Sequence, residues 1–93
     1  MISVNAEFYF ANLGADVARC ITAAEENNIE RYTSSLARAH KTLRSLRAAH
    51  RPEAYEEGLL LVRALEYARR EDRLEAFRIQ LNDLIARYSP LAR

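Results

Sequence analysis

The side chains able to do chemistry are few: one cysteine (Cys20), two histidines (His40 and His50), and carboxylates dispersed among basic residues. A thiol becomes a nucleophile when a neighbouring base or cation lowers its pKa, and no lysine or histidine stands within a helical turn of Cys20. His40 would have to reach it from another segment, and no carboxylate is placed to orient the pair. Cys20 also falls on an apolar stripe, where cysteine behaves as a small hydrophobe. Di-metal bundles place Glu-x-x-His pairs on facing helices; here the residue three before His40 is Ala37 and the one three before His50 is Arg47. Gly14 and Gly58 are isolated, so there is no glycine-rich phosphate loop. No catalytic residue, metal ligand or cofactor is expected from these residues, and the protein is expected not to be an enzyme.

Charge is more informative. The chain of 93 residues carries a net +1, which gives no general attraction to nucleic acid or an anionic membrane. That balance hides a division: residues 1–28 carry −3, residues 29–51 carry +5, and residues 52–71 carry −2. Arg31, Arg38, Lys41 and Arg44 make the basic stretch a candidate anion-binding face. Tyr32, the one aromatic beside them, belongs to the apolar seam described below and is lost as a stacking platform. Nucleic-acid binding is therefore the less favoured use of this face.

A lone cysteine excludes an intrachain disulfide. The longest apolar runs, Phe8 to Ala11 and Leu59 to Val62, are far too short to span a bilayer, so no membrane association is expected. Met1 to Glu7 offers neither a basic stretch nor an apolar core of the kind a secretory signal needs. The expected location is cytoplasmic.

The elements follow from period and punctuation, and they form a single domain over residues 1–93. With only two prolines and two glycines, the chain suits long helices and short connections. Phe10, Leu13, Val17, Cys20, Ile21 and Ala24 recur at helical spacing over about residues 5–26. Asn27-Asn28 breaks that pattern. Asn27 suits a left-handed helix end and also a cap for the next helix, with Glu30 three residues on. Ile29, Tyr32, Leu36, Ala39, Leu43 and Leu46 form a strict seam over about residues 28–49, which stops at His50-Arg51-Pro52. Ala54, Leu61, Val62, Leu65 and Ala68 place a third helix at about residues 52–70. Asp72 and Glu75 read as a cap for a fourth at about residues 73–88, carried by Leu74, Phe77, Leu81, Leu84 and Tyr88, with Ile85 beside them. Ser89-Pro90 ends it, and Leu91 to Arg93 is a loose tail. The fold class is all-α: an antiparallel up-and-down bundle of four helices, or of three if the last two are continuous.

Apolar residues outside these seams point to a surface. Phe8, Ala11, Ala15 and Ala18 form a second face on the first helix, separated from the seam by Asn12, Asp16 and Arg19. Leu60, Ala64 and Tyr67 lie beside the stripe of the third. Either the first helix is central and touches two neighbours, or Phe8 and the alanine face, with Leu60 and Tyr67, form an interface.

Two features of the chain resemble known families in part. The layout of long helices with an Asn/Glu-rich first hairpin resembles the flagellin export chaperones, cytoplasmic bundles that wrap an unfolded substrate, though no stretch matches. Phe10-Ala11-Asn12-Leu13-Gly14-Ala15 is similar to part of a tetratricopeptide helix, but no copy recurs about 34 residues later. The expected function is a noncatalytic protein–protein interaction or self-association module, adaptor or chaperone-like, whose partner is another protein or a second copy in a homodimer.

Overall fold

No proline occurs before residue 52, so the first helices must end at residues that tolerate left-handed backbone. The computed structural model describes residues 2–88, with side chains described for residues 6–84 and 86. It contains α1 (Ile2–Glu25), α2 (Ile29–Arg47), α3 (Pro52–Arg70) and α4 (Leu74–Tyr88). Each connection holds one residue with positive φ: Asn27 at 57°, His50 at 62° and Asp72 at 58°. At the first, Asn28 N–H donates to the Ala23 carbonyl (2.8 Å) and Asn27 N–H to that of Ala24 (3.1 Å), the paired bonds of a Schellman end. At the third, Arg73 N–H donates to the Ala68 carbonyl (2.8 Å).

Two caps differ from the sequence expectation. Asn28, not Asn27, caps α2: its Oδ1 accepts from Arg31 N–H at 3.0 Å. Asp72 does not cap α4 but turns the chain out of α3, and the Arg73 carbonyl takes the first bond of α4, from Phe77 N–H. α3 and α4 are therefore separate, which removes the three-helix alternative. α1 starts earlier than expected, because nothing between Ile2 and Asn5 breaks a helix. The Ile85 and Tyr88 side chains, the Ser89-Pro90 stop and the tail lie outside the described residues.

Contacts along the helices fix their directions. Asp16 of α1 meets Thr42 of α2 across a hairpin that turns at Asn27. Gly58 near the start of α3 lies among leucines near the end of α2, and Arg69 near the end of α3 lies over Tyr32 near the start of α2. Ala64 with Phe77, and Leu61 with Leu81, line one groove, so α4 runs back along α3. The result is up-down-up-down. α1 touches all three other helices, whereas α2 and α4 do not touch among the described residues. α1 and α3 form the short diagonal of the bundle, with α2 and α4 at the far corners.

The core is drawn from all four stripes: Leu13, Val17, Cys20 and Ile21 of α1, Ala39 and Leu46 of α2, Leu65 of α3 and Leu81 of α4 are buried. Ile29 is a correction: the seam of α2 begins at Tyr32, and Ile29 is 68% exposed at the helix start. Gly58 marks the closest approach. A Cβ there would lie 2.7 Å from Leu13 Cδ2, 3.0 Å from Leu43 Cδ2 and 3.1 Å from Leu46 Cδ2.

Candidate interaction surface

The groups that could have been reactive are disposed against it. Cys20 is fully buried, and its thiol is pushed up to about 11, first by burial and second by the negative Asp16. His40 and His50 are exposed, so His40 does not reach Cys20 in the core. Among the described residues no three His, Cys, Asp or Glu side chains are grouped to hold a metal ion, and no helix is long and apolar enough to cross a membrane.

The second face of α1 is open. Phe8 is 61% exposed and Ala11 is exposed, while Ala15 and Ala18 are half-buried. The Phe8 ring meets Tyr9 edge-on, with centroids 5.6 Å apart. Asp16, which the sequence places in the polar sector of this helix, is instead buried between α1 and α2. Its Oδ2 accepts from Thr42 Oγ1 at 2.9 Å and its Oδ1 from Arg19 Nη1 at 3.1 Å. α2 packs against the Asp16 edge of that polar sector, leaving Asn12 and Arg19 exposed, so the carboxylate had to be enclosed and paired.

The hairpin then brings α2 alongside the open face. Ala18, Arg19 and Thr22 of α1 and Arg31 and Ser35 of α2 line a groove of about 390 Å³. The register that pairs Asp16 with Thr42 and sets Thr22 beside Ser35 puts Arg38 opposite Arg19. Arg31 and Arg38, seven residues apart on one face, therefore edge the strip that starts at Phe8. Lys41 and Arg44 step progressively around α2, away from it. Arg31 pairs with Glu26 at 3.8 Å, both exposed; Arg38, Lys41 and Arg44 are exposed and make no ion pair among the described residues.

Leu60 and Tyr67 belong to another place. They are 59% and 54% exposed along the groove between α3 and α4. One part of it, about 330 Å³, is lined by Leu60, Leu61, Ala64, Phe77, Leu81 and Leu84; the next, about 210 Å³, by Ala64, Tyr67, Ala76 and Phe77. α3 meets α1 on the side of Leu13, which faces away from Phe8 and Ala15. The structure thus sets Ala18 beside Arg31, with Phe8, Ala11 and Ala15 along the same face of α1, and leaves Leu60 and Tyr67 on a separate surface. Ile79, 66% exposed on α4, is a further exposed apolar residue that its period did not single out.

These features define an all-α bundle of four helices. Comparison of the chain with protein-family models, with curated proteins and with solved structures finds no match.

Proposed function

We propose that the chain is a noncatalytic protein–protein interaction module of the cytoplasm, using the open face of α1. The observation that carries this reading is Phe8: a large aromatic 61% exposed on the central helix, among small residues that let another backbone approach closely. Leaving contiguous apolar surface in water is unfavourable, and faces of this kind usually serve association. Leu60 and Tyr67 give a second, separate surface of similar character. The partner is another protein or a second copy of the chain.

The test compares the wild-type protein with Phe8→Asp. Both fold alike by circular dichroism, because the side chain is exposed. Affinity capture from the native cell extract, read by mass spectrometry, recovers a partner with the wild type and loses it with the variant; sedimentation velocity detects a homodimer by the same contrast. A monomer that captures the same proteins with and without Phe8 removes the reading.

One observation favours a second reading, anion or nucleic-acid binding by α2: Arg38, Lys41 and Arg44 have no carboxylate partner among the described residues. It requires a salt-sensitive complex that Arg31→Glu with Arg38→Glu weakens. DNA and RNA probes whose gel mobility is unchanged at low salt dispose of it.

A further inference from the structure

We infer that the open strip of α1 receives an acidic amphipathic helix from a partner protein, seated along α1 with its carboxylates against the arginine edge of α2. The inference rests on the interaction reading above and adds the chemistry of the partner.

Three features of the strip specify that occupant. Its floor is apolar and shallow: Phe8 stands at one end, Ala11 and Ala15 follow, and the groove of about 390 Å³ at Ala18 and Thr22 lies at the other. From Phe8 to Thr22 is about 21 Å along α1 at roughly 1.5 Å per residue, the length of a four-turn helix. A partner helix with apolar side chains at three- and four-residue steps fits such a floor, one of them entering the groove.

Charge selects the sign. Arg19 and Arg31 line the groove, and Arg38 follows Arg31 two helical turns further along the same flank of α2. Against them stand Glu26, 3.8 Å from Arg31, and Asp16, which is buried and already accepts from Thr42 and Arg19. Arg38 has no carboxylate among the described residues. A row of glutamates or aspartates on one flank of the incoming helix supplies what this edge lacks, with the forked geometry that arginine and carboxylate share.

The experiment is selection from a random display library of peptides of about 16 residues, long enough for four helical turns, against the full chain. Recovered peptides are synthesised and titrated by fluorescence anisotropy. The expected set carries Asp and Glu on one flank and Leu, Ile or Phe at helical spacing. Binding falls about ten-fold or more in Phe8→Asp, and likewise in Arg31→Glu with Arg38→Glu, while Leu60→Asp leaves it unchanged. Added salt weakens it. Neutral or basic peptides, or peptides indifferent to the arginine substitutions, overturn the inference. A Phe8-dependent homodimer that blocks the acidic peptides, or an RNA or DNA probe that displaces them, also overturns it. Peptides lost in Leu60→Asp and kept in Phe8→Asp overturn it as well, leaving an interaction module that works through the other groove. Recovery of no peptide overturns it; with no Phe8-dependent capture from extract either, the interaction reading falls too.

Discussion

Asp16 has both carboxylate oxygens engaged, one by Thr42 and one by Arg19, and is 3% exposed. Removing it leaves a half-buried hydroxyl and an exposed guanidinium without their acceptor. Asp16→Ala is expected to lower stability by on the order of 1–3 kcal/mol, measured by urea denaturation, and Thr42→Val by less. Cys20, one turn further along α1, sets a second expectation. Its thiol is raised from the ordinary 9.0 to about 11, chiefly by burial. A raised value means the folded state holds the proton more tightly, so this contribution to stability is complete below about pH 9. It is lost as pH climbs through about 11. Tyr32 is raised in the same direction, burial being the largest cause. In Cys20→Ala the fall in stability between those two pH values is expected to be shallower than in the wild type. An identical slope would show that the thiol is not a source of alkaline sensitivity.

At the scale of the elements, the three connections share one device, a left-handed residue after a helix, and none of the three is glycine. Asn bears this well and His and Asp less so, which makes the second and third connections improvable. His50→Gly and Asp72→Gly are each expected to raise stability by roughly 0.5–1 kcal/mol in thermal unfolding. Gly58 behaves in the opposite sense, because Leu13, Leu43 and Leu46 occupy the space a side chain would need. Gly58→Val is expected to lose about 2–3 kcal/mol by overpacking; Gly58→Ala loses less, since alanine regains about 1 kcal/mol of helix propensity. Much of this was legible in residue order. Periods of three and four located every helix, and Asn27 announced its own conformation by residue type. Asp72 misled because Asp followed by Glu at the third position resembles a cap, and only the fold reveals that the chain is still leaving α3 there. Asp16 misled because a polar residue between two apolar faces looks solvated until a neighbouring helix is laid over it. The open face of α1 could be read from Phe8 and its alanines. That Arg31 and Arg38 edge it could not, since that depends on the register of α1 against α2 across the hairpin.

At the scale of the molecule, the arrangement is lopsided. α1 and α2 pack along their length, with Asp16 and Thr42 joined between them, while α4 reaches only α1 and α3. Arg78 ties it to α1, donating to Glu25 at 2.6 Å and to Thr22 at 3.4 Å. A last helix held on two sides, with a groove along one of them, opens at less expense than the hairpin that carries the core. Native-state deuterium uptake is therefore expected to proceed in two stages: amides of Phe77 to Leu84 exchange first through a partial opening, and those of Leu13 to Ile21 only with global unfolding. Uniform protection across both segments would mean that the fourth helix and the hairpin unfold as one cooperative unit.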